Sequence, residues 1–128
     1  MSQTQKQETG KWGEQFAVNF LVQQGYEIVE RNYRSKVGEI DIICYISERR
    51  FGRTLVFVEV KTRSAQKQTG MAERAVGSQK RLHMQRTAQW YCLEHGINID
   101  QTPIQFEQVS VYREKGGGIA CRKYILPA

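Results

Sequence analysis

Two short stretches combine the residue types of a hydrolytic metal site. In Glu39-Ile40-Asp41-Ile42-Ile43-Cys44, strand periodicity puts Glu39 and Asp41 on one face and Ile40, Ile42 and Cys44 on the other. In the run from Leu55 to Arg63, the residues Leu55, Phe57, Glu59, Lys61 and Arg63 share a face, opposite Val56, Val58 and Val60. Both faces of this second strand begin apolar, so it is expected to be central and buried. Glu59 and Lys61 then break the pattern, and buried charge is costly unless it is paired or bound to metal. If the ends of the two strands pair, Glu39, Asp41, Glu59 and Lys61 converge at one edge of the sheet. We then expect the Asp41 and Glu59 carboxylates to share one cation, with Lys61 lining the same pocket. Carboxylates suit Mg²⁺ or Mn²⁺. Such an ion polarises a phosphoryl oxygen and lowers the pKa of an attacking water. A lysine on the same face orients that water and offsets developing negative charge. The same four residues would also satisfy a cross-strand salt bridge, Lys61 with Glu39 or Asp41.

The charge distribution bears on that choice. Residues 1–60 carry 8 Lys/Arg and 8 Asp/Glu, and residues 87–128 carry 4 and 4. Residues 61–86 hold Lys61, Arg63, Lys67, Arg74, Lys80, Arg81 and Arg86 against Glu73 alone, so this segment carries the whole net charge of +6. A basic block of this kind suits a polyanion, most often nucleic acid. Arg63, Arg74, Lys80, Arg81 and Arg86 are the candidate phosphate contacts, with a solvated helix face as the rival reading.

Around these residues the chain reads as alternating elements. Trp12, Phe16 and Phe20, widened by Ala17 and Leu21, predict a helix over 9–24 that Gly25 stops. Tyr26 to Tyr33 reads as a strand, Glu39 to Ile46 as a stronger one, and Leu55 to Thr62 as the strongest. The polar SERRFGR turn makes the last two an antiparallel hairpin. A loop over 63–71 leads to a helix from Ser78, the expected N-cap, to Glu94, with Gly96 as the stop. Met84, Ala88, Tyr91 and Cys92 form its buried face. Pro103 opens a strand to Tyr112, KGGG turns the chain, and Ile119 to Leu126 is the last strand. The order is αβββαββ, with helices packed on a sheet.

The chain has 128 residues, 40% hydrophobic and 25% charged, which fits one globular domain over 1–128 with residues 1–8 expected to be flexible. No apolar run approaches the ~20 residues of a membrane span, and MSQTQKQETG lacks a signal-peptide core. The expected setting is cytoplasmic, without a membrane partner. Cys44, Cys92 and Cys121 form neither a disulfide pattern nor a zinc spacing.

Gly38-Glu39-Ile40-Asp41-Ile42-Ile43 and Val56-Phe57-Val58-Glu59-Val60-Lys61-Thr62-Arg63 resemble the YraN-like family of uncharacterised bacterial proteins. Gly10-Lys11-Trp12-Gly13-Glu14, Gly25-Tyr26 and Arg31-Asn32-Tyr33-Arg34 extend the resemblance over residues 10–95. It implies a restriction-endonuclease-like fold, a central mixed β-sheet flanked by helices. It also implies the PD-(D/E)XK nuclease signature and likeness to Holliday-junction resolvases. On that resemblance Asp41 is the signature aspartate, here preceded by Ile40, and Glu59-Val60-Lys61 is the ExK element. Asp41, Glu59 and Val60 become the metal-holding positions. Glu14 matches an acidic residue on the first helix of resolvase-like proteins, and Gln79-Lys80 resembles a polar helix motif that joins the nucleic-acid contacts. Near the C-terminus, Gln105-Phe106-Glu107 departs from the family's Arg-Phe-Asp.

The resulting expectation is a Mg²⁺- or Mn²⁺-dependent endonuclease acting on structured or branched DNA, with a homodimer as a further partner state. Asp41 and Glu59 act as ligands, Lys61 positions water, and Glu39 and Glu14 are supporting acids. The alternative is a nucleic-acid-binding or repair-partner module with a vestigial site, and a purely structural ion-pair cluster is the third reading. His83 and His95 read as surface or boundary residues, Trp12, Phe16 and Phe20 as core, and Tyr33 and Arg34 as turn residues. Gly10 and Gly13 are too weakly spaced for a phosphate loop.

Overall fold

The structure, a computed structural model, describes residues 3–50, 52–64 and 77–127. The elements are α1 (Gln3–Gln23), β1 (Glu27–Arg34), β2 (Glu39–Glu48), β3 (Gly52–Ser64), α2 (Ser78–Glu94), β4 (Ile104–Arg113) and β5 (Ile119–Leu126). This is the expected αβββαββ order, with α1 beginning earlier than its apolar periodicity. The five strands lie in the order β1-β2-β3-β4-β5. All neighbours are antiparallel except β3 and β4, so the sheet is mixed. A parallel pair needs a crossover connection, and α2 lies on it.

The two helices cover opposite faces. Ala17 and Leu21 of α1 pack on Ile42, Cys44, Val56, Val58, Val109 and Val111. Trp12, Phe16 and Phe20 are partly buried around that cluster, so Ala17 and Leu21 occupy the centre of the α1 face and the aromatic residues its flanks. Met84, Ala88, Tyr91 and Cys92 of α2 pack on Ile43, Leu55, Phe57 and Tyr33, as the spacing predicts. Leu55, Val56, Phe57 and Val58 are all fully buried. β3 is therefore the central strand that its two apolar faces announce, and each such side chain contributes about 1.5–3 kcal/mol of burial.

Three expectations need correction. Ser78 is the first helical residue of α2 rather than its N-cap; Gly77 takes that place, with no side-chain cap. The ends of the β2–β3 hairpin do not pair, because the ladder stops at Ile42 opposite Val58. Ile40 does not share a face with Ile42 and Cys44: it packs in the α2-side cluster, while they pack on the α1 side.

One local event explains the last two. Asn32 in β1 has φ 54°, the left-handed conformation that asparagine tolerates better than most residues. Arg31 pairs with Ile42, and the next pair is Tyr33 with Ile40. Across that step both strands exchange faces: Arg31 reaches α1, whereas Tyr33 lies under α2. Asp41 is the β2 residue opposite this irregularity, lifted out of the regular ladder where β2 and β3 separate.

Candidate functional site

The separation of β2 from β3 leaves the Val60 N–H without a strand partner, and Asp41 supplies one. Its Oδ2 accepts from Val60 N at 2.7 Å. An unmade buried backbone bond would be costly, so this contact fixes the Asp41 side chain beside the start of the Glu59-Val60-Lys61 run.

A cavity of about 620 Å³ opens at this point, between the β1–β2 turn, the diverging strands and the first turns of α2. Glu39, Asp41, Glu59, Gln79 and Lys80 of the expected set line it, together with Arg34, Ser35, Gly38, His83 and Met84. Asp41 and Glu59 thus face one space. Lys61 is not part of the lining, contrary to expectation. Its Nζ instead lies 3.0 Å from Glu59 Oε1. Lys80 pairs with the same oxygen from the helix side. Glu59 is only 6% exposed, and its Oε2 is buried with no hydrogen-bond partner among the described residues.

The electrostatics follow from this crowding of carboxylates. Burial raises the Asp41 carboxyl, the Val60 N–H holds it down in part, and the charges of Glu59, Glu14 and Glu39 push it up again, to about 6 against an ordinary 3.8. Partial burial lowers Lys80, but the Glu59 carboxylate outweighs it and holds the ammonium above its ordinary value.

Asp41 gives the first prediction. A folded pKa above the unfolded one means that the native state binds the proton more tightly. The associated stability is fully present below about pH 4, where both states are protonated, and is lost as pH rises through about 6. Two units correspond to roughly 2–3 kcal/mol. Asp41→Asn keeps an acceptor for Val60 N–H and never carries the charge. Urea unfolding in the presence of a chelator is expected to find it more stable than wild type at pH 8 and no more stable at pH 4. Equal stability at pH 8 would show that the Asp41 charge is not strained in the fold.

Glu14 is buried on α1. Its Oε1 accepts from Arg31 Nε at 3.1 Å and Asn32 Nδ2 at 3.0 Å. Glu14 therefore holds the left-handed Asn32 in place, and its charge is felt at Asp41. Gly13, inside α1 rather than in a phosphate loop, lets the helix come down on β3, since a Cβ there would collide with Thr62 Oγ1. Glu39 is exposed and reaches Arg34 Nε at 3.7 Å, a weak surface pair.

The remaining expected contacts disperse. Arg63 continues β3 opposite Tyr112 of β4, with its Nε buried and without a hydrogen bond among the described residues. Arg81 and Arg86 lie on α2 outside the cavity lining. Arg74 lies outside the described residues. His83, read as a surface or boundary residue, is exposed and stands against the cavity: a Cβ on Gly38 would lie 2.6 Å from its Nε2 and from Thr87 Oγ1. The Ser35–Gly38 turn is closed by Ser35 N to Gly38 O at 2.9 Å and by Ser35 Oγ, which accepts from Val37 N at 3.1 Å. Gly38 thereby lets a rigid turn press directly on α2. Arg34 ends β1 and lines the cavity, while Tyr33 is buried in the strand and donates to Glu94 of α2. The spacing of Gln79, Lys80, His83 and Met84 along one helix stripe is the signal that could have gathered that wall.

The comparisons place the chain in one family. A UPF0102 protein of Desulforapulum autotrophicum is 42% identical over 112 residues, covering 88% of this chain and 86% of its own. One from Syntrophotalea carbinolica is 39% identical over 109 residues, covering 85% and 82%. One from Clostridioides difficile is 40% identical over 105 residues, covering 82% and 85%. Among solved structures, Pyrococcus furiosus SfsA in complex with Ca²⁺ aligns over 94% of this chain at 16% identity, with a TM-score of 0.37. This chain covers 64% of that protein, and the likeness is too slight to bear on the fold or the function. Residues 13–111, which include every residue that lines the cavity, match the family model, and the chain belongs to the uncharacterised protein family UPF0102, the YraN-like family.

Proposed function

We propose that this protein is a divalent-metal-dependent endonuclease of restriction-endonuclease-like fold that cuts structured or branched DNA. The observation that carries the reading is the cavity itself: two part-buried or buried carboxylates, Asp41 and Glu59, line one space that also holds Gln79 and Lys80. A structural ion-pair cluster would have no use for a buried carboxylate oxygen without a partner, and Glu59 Oε2 is one among the described residues.

The donor set fits a hard cation. Among the described residues no group of three or more His, Cys, Asp or Glu forms a complete metal cage. Mg²⁺ does not need one, since it commonly takes one or two carboxylates and completes its shell with water and substrate oxygens. Asp41 and Glu59 would hold it, with the Val60 backbone as neighbour. When bound, the ion supplies Lewis acidity and a more acidic water. The chain's own residues do the rest. Lys61, held 3.0 Å from Glu59, keeps a positive charge beside the reacting phosphate. Glu14, through Asn32, maintains the strand flip that presents Asp41. Arg34 and Lys80 flank the cavity where a phosphate backbone would run.

A second reading also has an observation behind it. Glu59 already has two lysine partners, which suits a DNA-binding or repair-partner module whose site no longer turns over. The deciding experiment incubates wild type and Glu59→Gln with flap, four-way-junction and single-stranded DNA in Mg²⁺ or Mn²⁺. Metal-dependent cutting by wild type alone is expected. Junction binding without cutting of any substrate would favour the binding module.

Binding itself has a separate signature. If Arg81 and Arg86 contact phosphates, DNA affinity falls steeply with salt, and replacing both by alanine lowers the log–log slope by about 2, close to one per phosphate lost. The loss should be similar for all sequences, because phosphate contacts carry no base information. A slope unchanged in the double variant would remove both arginines from the DNA interface.

A further inference from the structure

Glu59 is neutralised from two directions, and the two lysines are not equivalent. Lys61 follows it by two residues on the same strand, so its ammonium is tied to the β3 backbone beside Glu59. Lys80 arrives from the first turn of α2, across the cavity, and its side chain is 50% exposed against 35% for Lys61. Both ammonium groups lie on Oε1, while Oε2 has no partner among the described residues. A cation held between Asp41 and Glu59 would share the cavity with the Lys80 ammonium on the same carboxylate, and like charges at such separations repel strongly where water is scarce. Lys61 can stay on its strand, but Lys80 has to leave. It has a long flexible stem, solvent on one side and the open cavity on the other.

We propose that Lys80 is the built-in counter-ion of the cation-free site, and that a DNA phosphate draws it off Glu59, so that divalent-ion uptake and DNA binding are positively coupled. The inference rests on the reading of Asp41 and Glu59 as a cation site, and it adds a regulation to it. In the free protein Lys80 competes with the ion, keeping the site sparsely loaded. A phosphate entering beside Gln79 and Arg34 offers Lys80 a replacement anion, and the Glu59 carboxylate, relieved of that positive charge and with Oε2 unpartnered among the described residues, takes the ion. Linkage makes the effect reciprocal: the ion strengthens DNA binding by the same factor by which DNA strengthens ion binding.

The test measures Ca²⁺ binding calorimetrically, with and without a junction DNA. Ca²⁺ tolerates loose geometry and is a weaker Lewis acid than Mg²⁺, so the DNA should persist through the titration. Wild type is expected to bind Ca²⁺ about tenfold more tightly with DNA than without it, a coupling of about 1.4 kcal/mol. Lys80→Met should bind Ca²⁺ about tenfold more tightly than wild type in the absence of DNA and gain less than wild type does when DNA is added. Lys80→Arg, which keeps the charge, should retain the coupling, a result that a merely structural role for the side chain does not produce. Lys80→Gln provides a second neutral variant, and circular dichroism checks that each variant is folded. Equal Ca²⁺ affinity in wild type, Lys80→Met and Lys80→Gln overturns the proposal while leaving the cation site standing. Undiminished coupling in the two neutral variants overturns it as well. Absence of Ca²⁺ binding in every variant, with or without DNA, overturns the cation site and this proposal together.

Discussion

Lys61→Ala is expected to cut metal-dependent cleavage of a branched DNA by about 10²–10³-fold, the usual cost of removing one preorganised charge from a developing oxyanion. DNA affinity should stay within about tenfold, or 1.4 kcal/mol. The asymmetry arises because a charge beside the reacting phosphate matters most when negative charge grows there, in the transition state. The structure sharpens this expectation in one respect. Lys61 holds Glu59 Oε1 at 3.0 Å, and Lys80 holds the same oxygen, so removing Lys61 leaves Glu59 paired and the cavity wall intact. The variant should therefore fold as wild type does. Asp41→Asn is expected to lose cutting and cation affinity together. Single-turnover cleavage with Mg²⁺ and a parallel binding titration separate the two outcomes. Equal cleavage by wild type and Lys61→Ala would point to a contaminating nuclease and leave the assignment without support.

The elements that position these residues were legible where a single periodicity governed them. Met84, Ala88, Tyr91 and Cys92 announce the buried face of α2, and all four are buried there. Two apolar faces announce β3, and the strand is central. The convergence of Asp41 and Glu59 on one cavity was also legible, although by a route the sequence does not display. Parity predicted that paired strand ends would bring them together. In the structure the ends part after Ile42 and Val58, and the Asp41 carboxylate itself spans the gap to Val60 N.

What escaped sequence reading depended on contacts between distant segments. The face exchange at Asn32 follows from one positive φ, and Glu14, 18 residues earlier, holds it. No local pattern in Arg31-Asn32-Tyr33 marks that exchange. In sequence, Lys80 stands out as a phosphate contact, by its basic neighbours and by the resemblance of Gln79-Lys80 to a polar helix motif, and neither signal points to Glu59. Its role at Glu59 depends on how α2 lies across the sheet. Glu107 is the clearest case. It sits in an apparently ordinary strand alternation, Gln105-Phe106-Glu107-Gln108-Val109, and nothing there indicates a completely buried charge.

Glu107→Ala is expected to destabilise the protein by about 3 kcal/mol, the lower end of the cost of breaking a buried ion pair by removing one partner. The Glu107 side chain is 0% exposed. Its carboxylate accepts from the Tyr26 hydroxyl at 2.8 and 3.1 Å and from Gln105 Nε2 at 2.6 Å, and Lys123 Nζ lies 3.5 Å away. Lys123 also donates to Tyr26 OH at 2.5 Å. The network ties the residue just before β1 to β4 and β5, at the opposite end of the sheet order from β1. Burial and the neighbouring carboxylate push the Tyr26 hydroxyl well above its ordinary pKa, so it remains a donor throughout the accessible pH range. Truncation at Glu107 leaves that hydroxyl without its acceptor, removes the anion facing Lys123 and opens a cavity, three costs at once. The lower end of the range applies because Lys123 is partly exposed and can turn its ammonium toward water. Glu107→Gln keeps an acceptor for Tyr26 and should lose about half as much. In a double-mutant cycle, Tyr26→Phe is expected to cost less in the Glu107→Ala background than in wild type, since the hydroxyl it deletes has already lost its partner. Urea unfolding of the four proteins measures this directly. Additive costs would mean that the two groups stabilise the fold independently, and the network would then not be the unit that the distances describe.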